Sequence, residues 1–257
     1  MMRDSSQPVP PLLPDDVHIW LLNIDAHAVS ADAFASILSA DERIKADKYH
    51  FADGRNTALL SRGILRFLIG KYLGADPRTL QFQYNTFGKP SLAEGGDLSF
   101  SVSHTTGALI YAFTIHRRVG IDIEDLTRGR DAALIAKSRF TASEQKLLFS
   151  AEPSAIPELF LRLWTMKEAV MKALGEGCNI PLNSFSVAPG ENFTCSICES
   201  SLPGLVCENW HLEELPVSKK HTASFAVENT NAKTQIYSLD LNTIMQQLPA
   251  FSSLHGQ

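Results

Sequence analysis

The sequence lacks the features that would place it in several common classes of protein. Its 257 residues contain no apolar run long enough to cross a membrane, and no apolar segment follows Arg3 as it would in a secretion signal. The net charge of −5 argues against general nucleic-acid binding. Only four cysteines are present. We therefore expect a cytoplasmic protein whose partners include neither nucleic acid nor membrane.

The cysteines leave two readings open. Cys195, Cys198, Cys207 and His211 could form a four-ligand zinc set. The second pair has a Cys-x3-His spacing within a strand-like segment, and no loop glycines flank the first pair. Reduced, partly buried thiols are therefore the preferred interpretation.

The distribution of residue types divides the whole chain into four segments. Composition is ordinary for a globular protein, and the length allows one large domain or two small ones. The proline-rich residues 1–14 predict a disordered leader. We place an N-terminal half at residues 15–116, a C-terminal half at 117–241 and a tail at 242–257.

The two halves resemble each other in sequence. Residues of the first half recur in the second when shifted by 101 or 102 positions, which indicates two homologous units. Matched positions include Val17/Val119, Ser39/Thr141, Glu42/Glu144, Arg66/Lys167 and Gly74/Gly175. We predict an α+β fold of two pseudo-symmetric halves in a monomer, with the active site in the cleft between them.

Residues Val119 to Glu124 alternate strictly and predict a strand. Its apolar face belongs in a core, whereas the opposite face carries Gly120, Asp122 and Glu124. We expect Gly120 to leave open space beside the two carboxylates. Two like charges on one face favour a bound cation, and Mg²⁺ is the first candidate for hard oxygen ligands. A solvated acidic face is the alternative.

A second candidate segment is the helix predicted from Leu159 to Leu174. Glu168 and Lys172 lie opposite its apolar stripe, because helical side chains advance by about 100° per residue. The alternative is a surface ion pair between these two residues, which are spaced i,i+4.

Four motifs in series resemble one enzyme family. They are Gly88-Lys89-Pro90, Ser103-His104, Gly120-Ile121-Asp122-Ile123-Glu124 and Trp164-Thr165-Met166-Lys167-Glu168-Ala169-x-x-Lys172. Their order and separation resemble those of the 4′-phosphopantetheinyl transferases. The length and the duplication resemble the large, Sfp-type branch, over roughly residues 17–230.

The resemblance implies a reaction and a set of catalytic groups. This family moves the 4′-phosphopantetheine arm from coenzyme A to a serine of an apo-carrier protein, acyl or peptidyl, and releases 3′,5′-adenosine bisphosphate. It implies Mg²⁺ held by Asp122, Glu124 and Glu168, because attack on a pyrophosphate requires charge neutralisation. Glu168, alone or through a water, and Lys172 would be the catalytic residues, and the nucleophile would belong to the partner.

The resemblance also implies coenzyme A contacts. They are Arg43, Lys45, Lys89, Ser103, His104 and Lys172. Glu42 departs from the pattern, since some relatives carry a basic residue there, and Lys45 one turn later could substitute. Each contact has an alternative as a surface charge, a turn residue or a strand-end hydrogen bond. Ser103 is not evidence of an acyl hydrolase, because no Gly-x-Ser-x-Gly motif is present.

Two other functions remain open. A metal-dependent pyrophosphohydrolase would need only Asp122, Glu124 and Glu168. An inactive, duplicated module that binds carrier proteins would need none of them as catalysts. The sequence does not indicate which carrier would be served.

Overall fold

The computed structural model describes residues 3–4, 9–24 and 31–248. The strands are β1 Arg3–Asp4, β2 Asp16–Asn23, β3 Phe82–Tyr84, β4 Pro90–Leu92, β5 Leu98–Thr105, β6 Ala108–Ile115, β7 Val119–Asp125, β8 Phe185–Pro189, β9 Thr194–Ser200, β10 His211–Glu214, β11 His221–Val227 and β12 Lys233–Ser238. The α-helices are α1 Asp32–Ala35, α2 Ala40–Asp47, α3 Ala52–Leu73, α4 Ala132–Arg139, α5 Ala142–Phe149, α6 Ile156–Leu174 and α7 Leu241–Gln247. Across these residues, no helix combines the length and apolar character that a membrane crossing requires.

The strands form two five-stranded sheets and a small hairpin. The first sheet has the order β1-β12-β2-β6-β5 and the second β7-β11-β10-β9-β8, while β3 pairs with β4. In both sheets the first long strand pairs antiparallel with a later one, β2 with β6 and β7 with β11. The mixed α+β fold of two similar halves is therefore confirmed.

Three hydrophobic cores separate the layers. α3 packs on one face of the first sheet, where its Ile64 joins Trp20 and Leu22, and α6 packs on the second sheet in the same way. The third core lies between the sheets and joins Val17, Ile19 and Leu21 to their counterparts on β7, Val119, Ile121 and Ile123. The alternation predicted for β7 is therefore confirmed, and its other face is directed at α6.

The duplication extends to buried ion pairs. Ser39 with Glu42 and Thr141 with Glu144 form the predicted capping boxes of α2 and α5. Each glutamate also receives a buried cation from the long helix of its half, at 2.6 Å in both cases: Arg66 Nε to Glu42 and Lys167 Nζ to Glu144. Glu42 is thus a structural residue, which explains why an acid occupies that position.

The end of the chain returns to the first half. β12 pairs in parallel with β2, with Lys233 opposite Asp16, and α7 adds Ile244 to the first core. The chain therefore leaves the second sheet before residue 241, where the sequence placed the end of the C-terminal half. α7 occupies the first residues of the predicted tail, and residues 249–257 lie outside the described part.

The leader also differs in part from its prediction. β1 pairs with β12, and Val9 and Leu12 pack half-buried against the first core. Residues 1–2 and 5–8 of the leader lie outside the described part of the chain. The predicted disorder of those residues therefore stays a prediction.

Candidate active site

A cavity of about 1000 Å³ lies between the halves. Most of its wall comes from the first half, and the second half contributes residues that follow β7 and residues at the end of α6. Side chains that carry nitrogen cations or an imidazole are prominent in the wall: Lys45, Arg62, Lys89, His104, Arg128 and Lys172. A cavity of this size and charge suits an extended anionic ligand.

Three predicted site residues meet at the cavity wall, to which Lys172 belongs. Asp122 Oδ1 accepts hydrogen bonds from Ser103 Oγ at 2.8 Å and from Lys172 Nζ at 2.7 Å. Lys172 Nζ also donates to Ser103 Oγ at 2.9 Å. Asp122 is buried, and its Oδ2 has no hydrogen-bond partner among the residues that the structure describes. β5, β7 and α6 each contribute one member of this triangle, which we call the Asp122 cluster.

Glu124 and Glu168 lie beside the Asp122 cluster. Burial raises the pKa of Glu168, and the charges of Asp122 and Glu124 raise it further, while Lys172 opposes them. Burial also raises the pKa of Glu124, followed by the charge of Asp122. The three predicted metal ligands are therefore close enough to repel one another.

Two of the three carboxylates have cationic partners in this structure. Lys172 pairs with Asp122, and Arg128 Nη1 lies 3.1 Å from Glu124 Oε2. The alternative of a Glu168–Lys172 surface pair is not realised among the described ion pairs. In the described ranges, no three His, Cys, Asp or Glu residues are arranged as a ready metal cluster.

Gly120 brings α6 onto the carboxylate strand. A Cβ at this residue would lie 2.0 Å from the Ala169 carbonyl oxygen and 2.4 Å from Ala173 N. The expectation of open space beside Gly120 is therefore wrong, because the helix backbone fills that space. Only glycine permits this approach, which places Glu168 and Lys172 over Asp122.

Two cations of the cavity wall, Lys45 and Arg62, contact Tyr84. Lys45 Nζ lies 4.4 Å from the centre of its ring, and Arg62 Nη2 donates to its hydroxyl at 3.1 Å. Arg62 Nε also lies 3.4 Å from Glu42 Oε1. Arg62 is not among the coenzyme A contacts predicted from the sequence, because the direction of its side chain depends on the packing of α3.

Two predicted coenzyme A contacts have other partners. Arg43 is exposed outside the cavity wall, and its Nη1 donates to the carbonyls of Ala35 and Leu38 at 3.3 and 3.0 Å. It therefore caps the C-terminal end of α1, and the structure does not bring it to the cavity.

Lys89 reaches from the first half to the second. Its Nζ donates to the carbonyls of Val119 at 3.2 Å and Ala173 at 3.1 Å, the latter at the C-terminal end of α6. Burial lowers the pKa of Lys89 to about 8. His104 does line the cavity, where desolvation and the charge of Lys172 lower the pKa of its imidazole.

Comparisons with known proteins match both halves. The family described as "4′-phosphopantetheinyl transferase superfamily" matches residues 118–227, and "4′-phosphopantetheinyl transferase, N-terminal" matches residues 27–116. The 4′-phosphopantetheinyl transferase HetI of Nostoc sp. is 37% identical over 184 residues, which cover 69% of this chain and 77% of HetI. The 4′-phosphopantetheinyl transferase Sfp of Bacillus subtilis is 31% identical over 157 residues, or 61% and 68% of the two chains.

A solved structure is also among the matches. The holo-(acyl-carrier-protein) synthase of Bacillus anthracis is 22% identical and matches 44% of this chain and 96% of its own, with a TM-score of 0.37. The sequence relatives are group-transfer enzymes, and their similarity spans most of their length. The chain belongs to the 4′-phosphopantetheinyl transferase family, as its motifs predict, and is an enzyme of that class.

Proposed function

We propose that this enzyme transfers the 4′-phosphopantetheine arm from coenzyme A to a serine of an apo-carrier protein, in a Mg²⁺-dependent reaction that releases 3′,5′-adenosine bisphosphate. The observation that carries the proposal is that Lys172, in the wall of a cation-rich cavity, contacts Asp122 and Ser103. Cations along the cavity suit the phosphates of coenzyme A, and the carboxylates behind Lys172 suit the reacting pyrophosphate and its metal.

The carboxylates fit a divalent cation on two counts. Asp122 Oδ2 is buried without a partner, which is a costly state for a carboxylate oxygen. Burial, followed by the charge of Asp122, raises the pKa values of Glu124 and Glu168, and a bound cation would favour their charged forms. We propose these three residues as Mg²⁺ ligands. When bound, the ion would neutralise charge on the pyrophosphate.

The side chains then have separate roles. Glu168, whose pKa is raised by burial, would accept the proton of the carrier serine directly or through a water. Lys172 would stabilise negative charge on the phosphates from its place beside Asp122 and Ser103. Neutral His104 would donate one hydrogen bond to a phosphate.

The two halves would supply different functional groups. We propose that residues 15–116 supply the cations that hold coenzyme A, chiefly Lys45 and Arg62 for its terminal 3′-phosphate, and that residues 117–241 supply the carboxylates. Because one chain carries both sets, we propose that a monomer is sufficient for activity.

Intact-mass analysis of a panel of apo-carrier proteins tests the function. Wild-type enzyme with coenzyme A and Mg²⁺ should add one phosphopantetheine arm per carrier and release an equal amount of 3′,5′-adenosine bisphosphate. A carrier whose acceptor serine is replaced by alanine is the control and should gain no mass. Nucleotide release that does not depend on a carrier would instead support a pyrophosphohydrolase.

A further inference from the structure

The junction between the halves contains a row of hydroxyl groups with two members that the proposed chemistry does not use. β5 is an edge strand of the first sheet and β7 an edge strand of the second. Ser101, Ser103 and Thr105 alternate along β5, so their side chains leave the same face of the strand. All three are buried. Ser103 belongs to the Asp122 cluster, whereas Ser101 and Thr105 have no assigned role.

Both unassigned hydroxyls bind the backbone of the carboxylate strand. Ser101 Oγ accepts a hydrogen bond from the Ile121 N–H at 3.1 Å, and Thr105 Oγ1 accepts one from the Asp125 N–H at 3.1 Å. Within the described residues, the pairing of β5 with β7 relies on side chains, because neither strand pairs with the other in a main-chain ladder. The two anchors lie on either side of Asp122.

The Ser101 anchor satisfies a fully enclosed backbone group, whereas the Thr105 anchor lies where β7 becomes partly exposed. A buried N–H on an edge strand has no neighbouring strand to accept its hydrogen bond and costs free energy if it stays unpaired. Ile121 is completely buried. If its hydroxyl partner is lost, a movement of β7 that brings the N–H to another acceptor or to water lowers the free energy. Such a movement changes the position of Asp122 relative to Ser103, which belongs to the other half.

We propose that Ser101 and Thr105 are positioning residues for the transfer reaction, which they serve by fixing strand β7 against the first half. This assignment rests on the proposed role of Asp122 and Glu124. Lys45 and Arg62, the cations proposed for the terminal 3′-phosphate, lie on α2 and α3 and not on β7. Loss of an anchor should therefore lower kcat and leave KM for coenzyme A nearly unchanged.

Matched variants distinguish the effect of losing the hydroxyl group from the effect of changing the volume of the side chain. Thr105→Val removes the hydroxyl and keeps the shape, whereas Thr105→Ser keeps the hydroxyl and removes a methyl group. Ser101→Ala is compared with Ser99→Ala, because Ser99 lies on the same face of β5 and makes no side-chain hydrogen bond in the described part of the chain. Transfer to an apo-carrier is measured with kcat and KM separately, and melting temperature is measured for every variant.

We expect Thr105→Val and Ser101→Ala to lose roughly 10- to 100-fold in kcat, as a displacement of about 1 Å at a reacting centre does. KM for coenzyme A should stay within about twofold, and Thr105→Ser and Ser99→Ala should retain most of the wild-type kcat. The assay temperature is kept below the melting temperature of every variant. Under that condition, the loss of kcat should not correlate with the fall in melting temperature across the variants.

Three results would overturn the assignment alone, given an active wild-type enzyme. They are equal activity of Ser101→Ala and Ser99→Ala, equal loss in Thr105→Ser and Thr105→Val, or losses that follow the melting temperature. A wild-type protein that loads no carrier would overturn the proposed function and this assignment with it.

Discussion

Replacing Lys172 by methionine should lower the free energy of unfolding of the ligand-free protein, because it removes the contacts of Lys172 within the Asp122 cluster. The ammonium makes two hydrogen bonds, to Asp122 Oδ1 and Ser103 Oγ. Breaking a buried ion pair by removing one partner costs about 3–5 kcal/mol. The Lys172 side chain is 30% exposed, so solvent reduces that cost, and the range for hydrogen bonds to charged groups, about 1.5–3 kcal/mol, is more suitable. For a chain of this length the melting temperature should fall by roughly 3–12 °C.

The same variant tests the metal proposal. Without Lys172, the carboxylates of Asp122, Glu124 and Glu168 lose their nearest common cation, so Mg²⁺ should raise the melting temperature of Lys172→Met by more than that of wild type. Differential scanning calorimetry with a Mg²⁺ titration measures both effects. Lys146→Met, at an exposed lysine on α5, is the control and should change neither quantity. An unchanged melting temperature in Lys172→Met, or no response to Mg²⁺ in either protein, would refute the reasoning.

Three further predictions follow from the geometry. Glu168→Gln should lower kcat by about 10²- to 10⁴-fold in steady-state assays. Its melting temperature should stay unchanged or rise, because no described side chain pairs with Glu168 and burial beside Asp122 disfavours its charged form; a fall in melting temperature would instead make Glu168 structural. Lys45→Ala and Arg62→Ala should each raise KM for coenzyme A roughly 10- to 100-fold, and Arg43→Ala should not, because Arg43 binds carbonyls outside the cavity; three equal changes would contradict this. Burial holds the pKa of Lys89 at about 8 against 10.5 for a free lysine, so the unfolded chain binds more protons between these values. Relative to Lys89→Met, the wild-type free energy of unfolding should therefore rise from about pH 8 to 10.5 in denaturant titrations; a flat or falling difference would exclude the shift.

Local signals in the sequence predicted much of the fold. Capping boxes at Ser39 and Thr141 act over three residues, and α3 and α6 end at glycines whose φ values are 63° and 78°. Strand alternation separated the buried face of β7 from its carboxylate face. These features depend on neighbours along the chain, so the sequence alone contains enough information to find them.

Long-range topology was not accessible in that way. β12 pairs with β2, more than two hundred residues earlier in the chain, and no local pattern of β12 indicates which sheet it joins. The space beside Gly120 was also misjudged from sequence. A glycine in a strand is compatible with an open site or with a close helix, and only the packing of α6 selects the helix.

The sequence by itself determined the family and the residue types of the site. The pair Asp122 and Glu124 lies within one strand and the pair Glu168 and Lys172 within one helix, so each spacing is a local feature of the chain. Tertiary structure decided which atoms meet. Lys172 could pair with Glu168 one turn away, yet it pairs with Asp122 on another element. A flexible, charged side chain takes its partner from whichever element packs within reach, so the direction of each cation is known only once the two halves are packed together.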